Sequence, residues 1–64
     1  MLKLDVDKIK KEMAKRDLTV IDMSKRLGVT SAWIYDIFTR RPIKQADMFA
    51  EDLDLDPKDL IVNE

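Results

Sequence analysis

LTVIDMSKRLGVTSAWIYDIFT, residues 18–39, is the stretch whose reading decides the fold. It reads as two short helices joined by a tight turn. Thr19 can cap the first helix. Asp22, three residues on, stands where a carboxylate satisfies first-turn amides and the positive end of the helix dipole. Met23 and Leu27 share one face. Gly28, the only glycine in the chain, comes next, where helices most often end in a left-handed residue that glycine adopts without strain. Val29 is apolar and plugs the corner, and Thr30 can cap a second helix. Ile34, Ile37 and Phe38 recur at spacings of three and four to form the buried face of that helix. Two helices joined in this way make a helix-turn-helix.

With Ile34 set toward the core, a rotation of about 100° per residue turns Ala32 and Asp36 most directly outward, flanked by Trp33 and Tyr35. The aromatics can be read in two ways. Flat side chains on an outward face can meet thymine methyls, sugars or bases. Equally, Trp33 can lie down over Val20 or Ile37 and close a small core. Small helix-turn-helix proteins lay this second helix in the DNA major groove, where Asp36 fits worst, because every nearby phosphate repels a carboxylate, although it can accept from a cytosine amino group.

The rest of the chain supplies helices around this motif. Leu2, Leu4 and Val6 alternate with Lys3 and Asp5, as in a short extended arm. Asp5 or Asp7 then caps a first helix over residues 6–16, with Val6, Ile9 and Met13 as its apolar stripe and lysines over the remainder. Asp17 is expected in a left-handed turn, and Leu18 staples the next helix to the core. The motif helices cover 19–27 and 30–38. Pro42 stops the second of them by about Arg40 and leaves a basic loop. Ile43, Ala46, Phe49, Ala50 and Leu53 give a fourth helix over about 44–53, with Met48 off the stripe. Asp56-Pro57-Lys58-Asp59 is a compact start signal for a fifth, over 57–61. The expected fold class is all-α, a compact bundle of five short helices in one domain over residues 1–64, with no sheet beyond the arm.

These residues resemble the lambda-repressor-like, or Cro/C1-type, family of helix-turn-helix DNA-binding domains. The resemblance rests on Ser24, Leu27-Gly28-Val29, Thr30, Ile34, the Ile37-Phe38 pair and the Leu55-Asp56-Pro57-Lys58-Asp59-Leu60 ending, over about residues 5–62. It implies a sequence-specific transcriptional regulator of phage or prokaryotic type, with the second motif helix in the major groove of double-stranded DNA. On that reading Ser31, Ala32, Trp33, Tyr35 and Asp36 read bases. Thr19, Lys25, Arg26, Thr30, Thr39, Arg40, Arg41 and Lys44 contact phosphates. One such helix touches few base pairs, so a homodimer on a pseudo-palindromic site is also expected, with Met48, Ile61 and Val62 as the candidate contact. Two departures stand out. Val20 replaces the Gln the family often uses to brace the reading helix and touch phosphate, and residues 31–36 are poorer in Arg, Gln and Ser. A protein-interaction module, an anti-repressor or assembly factor using the Trp33, Tyr35 and Asp36 face, is the alternative.

Composition narrows the field further. Sixty-four residues with no cysteine and no histidine exclude disulfides, zinc sites and histidine or cysteine catalysis. Carboxylate pairs such as Asp52 with Asp54 lack a deep cleft to shift their pKa values, so no enzyme and no cofactor are expected. With 45% hydrophobic and 39% charged residues, the chain is too apolar for disorder and too polar to span a membrane, and a cytoplasmic location is expected. No small-molecule ligand is evident. The net charge of −1 conceals a division. Residues 1–44 hold eleven Lys or Arg against six Asp or Glu (+5), and residues 45–64 hold one against seven (−6). One end can therefore meet phosphates while the other faces solvent.

Overall fold

Thr19 and Asp22 close a reciprocal capping box, each side chain accepting from the other residue's backbone amide, and this starts α2 (Val20–Leu27). Gly28 ends it in the left-handed region at φ 70°. Thr30 accepts from the Trp33 amide and opens α3 (Ser31–Arg40). The computed structural model describes all 64 residues. Its remaining helices are α1 (Val6–Lys15), capped by Asp5, and α4 (Ala46–Leu53). A 3-10 turn at Ile43–Gln45 leads into α4, and another at Pro57–Leu60 follows it.

The expected five-helix, all-α bundle is corrected in two places. Residues 57–60 form a single 3-10 turn, and the chain then leaves it as strand β2 (Ile61–Asn63). The N-terminal arm is strand β1 (Leu2–Leu4), and the two pair antiparallel in the register Leu2 to Asn63 and Leu4 to Ile61. Four α-helices and a two-stranded sheet result. β-Branched Ile61 and Val62 favour extended backbone. The pairing lets Leu4 reach full burial, while the amide of Asp5 donates to the Leu60 carbonyl. Ile61 packs on the core and Val62 pairs with Lys3 in the sheet, so neither is the freely exposed residue that the candidate dimer contact supposed. Met48 is also half-buried against the core.

Phe49, Leu4, Ile9, Met23, Ile34, Leu53 and Leu60 are the largest fully buried side chains, so all four helices, β1 and the last turn share one core. Ile43, assigned to the α4 stripe from spacing, is exposed because its turn is 3-10 and falls out of phase with the helix that follows. No helix is long and apolar enough to cross a membrane.

Candidate nucleic-acid interface

α3 ends two residues beyond the expected 38, at Arg40, where Pro42 was expected to stop it. Pro42 disfavours a right-handed helical conformation at Arg41, and Arg41 resolves this by turning left-handed at φ 56° while its amide still donates to the Ile37 carbonyl. Its guanidinium is anchored as well, through Nε to the Leu4 carbonyl at 3.0 Å and through both Nη atoms to the Glu64 carboxylate. This pairing holds the Glu64 carboxyl below the usual carboxylate range and raises the Arg41 guanidinium. Thr39 and Arg40, expected in a basic loop, are therefore helical.

The exposed face of α3 is a stripe of Ala32, Tyr35, Asp36, Thr39 and Arg40, at spacings of three and four. Ser31 is half-buried at the helix start. Trp33, expected on the outward face, is half-buried and packs on the core, one turn before buried Ile37. Its ring thus contributes to the core rather than standing free on the outward face. Tyr35 is 59% exposed and lines a groove of about 320 Å³ between α1, the start of α2 and α3, with Lys10, Leu18, Thr19, Val20 and Phe38. Val20 thus presents an apolar wall where a Gln would present an amide.

The expected phosphate contacts divide by how free they are. Lys25 on α2 and Lys44 in the first 3-10 turn are exposed and make no ion pair. Thr19 and Thr30 are exposed at the two helix starts. Thr39 is exposed too, but its hydroxyl donates to the Tyr35 carbonyl at 3.0 Å. Arg26 is bound to Asp52 on α4 at 2.9 Å, Arg41 to Glu64, and Arg40 to Asp36 at 3.0 Å. α1 is less basic than its lysines suggest, since Lys8, Lys15 and Arg16 all converge on buried Glu12. Six of the eleven cations in residues 1–44 are thus in ion pairs. Lys10 was not singled out from sequence, yet it reaches the groove beside Tyr35 and lies 5.8 Å from the Phe38 ring centroid. One lysine among several on α1 carries no signal of that position until α3 is packed against it.

No curated protein and no solved structure matches the chain. A family model, the Cro/C1-type helix-turn-helix DNA-binding domain, matches residues 8–64. The match spans the capping box, the Gly28 turn, the exposed stripe of α3 and the closing strand, and the chain belongs to the Cro/C1-type family of helix-turn-helix DNA-binding domains.

Proposed function

We propose that this domain is a sequence-specific transcriptional regulator of phage or prokaryotic type that lays α3 in the major groove of double-stranded DNA. The observation that carries the reading is the unbroken stripe of Ala32, Tyr35, Asp36, Thr39 and Arg40, which a capped turn presents as the exposed face of the second motif helix. Bases are read from Ser31, Ala32, Tyr35 and Asp36 on this face, which Thr39 and Arg40, expected at phosphates, extend to the helix end. Trp33 acts at the edge, where docking of α3 changes its surroundings. Phosphates are met by Lys25, Lys44, Thr19 and Thr30, joined by Lys10 at the groove, and by Arg26 and Arg41 once they release their carboxylates. A homodimer doubles the few base pairs that one α3 can read.

Titration with random-sequence duplex at low and moderate salt tests the proposal, with the fluorescence of Trp33, the only tryptophan, as readout. Phosphate-driven affinity falls as salt rises, with a log–log slope of about 0.9 per phosphate neutralised. A folded protein that binds no duplex at low salt, with Trp33 silent as well, sinks the proposal. The groove beside Tyr35, with six of its eight lining residues apolar, favours a second reading in which this face docks a protein. Trp33→Ala or Tyr35→Ala would then abolish a protein contact while DNA affinity stays negligible throughout.

A further inference from the structure

Asp36 and Arg40 stand one turn apart on the exposed stripe of α3, and Arg40 Nε donates to Asp36 Oδ1 at 3.0 Å. Both side chains are open to water, Arg40 at 75% and Asp36 at 48% exposure. A pair this exposed adds little to helix stability. What it fixes is direction. Helical side chains run back toward the N-terminus, so the guanidinium lies over the turn that carries Asp36 and not beyond the helix end. Nε is the donor consumed. The opposite edge, carrying Nη1 and Nη2, makes no bond in the protein and offers the paired donors that match O6 and N7 of guanine.

The rest of the stripe leaves this role open to no other side chain. Ala32 has no polar side-chain atom, and Thr39 turns its hydroxyl into its own helix. Tyr35, which lines the groove, offers a single hydroxyl. The pair also removes the charge conflict at Asp36. A lone carboxylate facing DNA is repelled by phosphates, whereas Asp36 with Arg40 is neutral, and their attraction strengthens as the groove excludes water.

We infer that Arg40, held by Asp36, reads the major-groove edge of a guanine, with Arg40 the specificity-determining contact and Asp36 a positioning residue. The inference rests on the docking of α3 proposed above. It is tested by selecting duplexes with a randomised core on the full chain and its variants, with circular dichroism to show that each is folded. The wild-type chain should enrich a site with guanine at one position. Arg40→Ala should flatten that position alone and weaken the enriched site about ten-fold or more. Asp36→Asn should loosen the same position while tightening binding to unselected duplex at low salt. Asp36→Glu keeps a carboxylate one turn before Arg40 and should retain the guanine.

Three results overturn it, and they are distinguishable. If Arg40→Ala weakens every duplex alike and lowers the salt slope by about one with the base profile intact, Arg40 is a phosphate contact. Docking of α3 then stands and the guanine contact falls. If Asp36→Asn leaves the guanine position sharp, Asp36 does not position Arg40. If the wild-type chain binds no duplex at low salt, the groove reading itself fails and takes the inference with it.

Discussion

Gly28 has φ 70°, and a Cβ built on it would meet nothing within 4 Å. Its replacement therefore costs backbone strain alone, without the crowding between helices that a tight turn suggests. Gly28→Ala should destabilise the domain by about 1–2 kcal/mol, the cost of a left-handed L-residue, and the β-branched Gly28→Val by more. Thermal melts check this, since about 1 kcal/mol moves Tm by about 4–8 °C in a domain of this size. An unchanged melt would remove the turn from the account of the fold. Three other residues are left-handed: Asp17, Arg41 and Asp54. The first was legible because Asp tolerates this region and a stop was needed before Leu18. The second was not, because Arg41 is held there by Leu4 and Glu64, both distant in sequence. Asp54 carries a double penalty, as an exposed non-glycine in the left-handed region and a negative charge at the C-terminus of α4. Its side chain makes no compensating hydrogen bond. Asp54→Gly should thus stabilise by about 1 kcal/mol, seen as a raised Tm or urea midpoint.

Elements were legible where their signals are local. The capping box, the Gly28 stop and the Asp56-Pro57 start all lie within four residues of what they control, and each stands where the chain announces it. The alternation of Leu2 and Leu4 with Lys3 marked β1 as an extended arm, but β2 and its pairing left no local signal, because the partners lie about sixty positions apart and meet only once the core assembles. A direct contrast tests the pairing. Leu4 is fully buried beneath the sheet and Leu2 is 56% exposed. Leu4→Ala should cost about 2–5 kcal/mol, a large part of what a domain of this size possesses, and Leu2→Ala little. An N-terminus that merely lies on the surface would show two equally mild effects. α1 carries an element-scale device of another kind. Glu12 is buried and accepts from Lys15 at 3.0 Å and Arg16 at 2.8 Å, with Lys8 Nζ at 3.2 Å. Arg16 also donates to the Leu53 carbonyl and so ties α1 to α4. Hydrogen bonds from Arg16, Lys15 and Lys8 lower the Glu12 pKa from 4.5 to about 2. A carboxyl more acidic in the folded chain stabilises it fully above pH 4.5 and loses that contribution as pH falls toward 2. Glu12→Gln should lower Tm at neutral pH and flatten its dependence across that window. The residual slope would come from Asp22 and Glu64, whose pKa values are also lowered. Equal acid sensitivity in the two proteins would show that Glu12 is not the group being titrated.

For the whole molecule, charge counted along the chain misjudges the charge available to a partner. The sequence shows a basic first two-thirds, but folding brings Asp52 to Arg26 and Glu64 to Arg41, so the acidic end covers part of the basic surface. No local pattern records this, because each pair spans more than twenty residues. The Glu64 pair has a testable consequence for DNA binding. Arg41 Nη1 and Nη2 lie 2.6 and 2.8 Å from its two carboxylate oxygens, which occupies the fork that would otherwise grip a phosphate. Glu64→Gln removes the charge and leaves Arg41 oriented by its Nε bond to the Leu4 carbonyl. Affinity for random-sequence duplex should rise, most at low salt, and the log–log salt slope should steepen by up to about one as Arg41 gains a phosphate. Neutralising a carboxylate anywhere on the domain also raises affinity through net charge, so Asp59→Asn, exposed and outside every ion pair, is the comparison. A gain confined to Glu64→Gln assigns Arg41 to the phosphate set, held in reserve by Glu64. Equal gains in the two variants would leave Arg41 a strut between α3 and β1, with Lys10, Lys25 and Lys44 as the cations that meet the backbone.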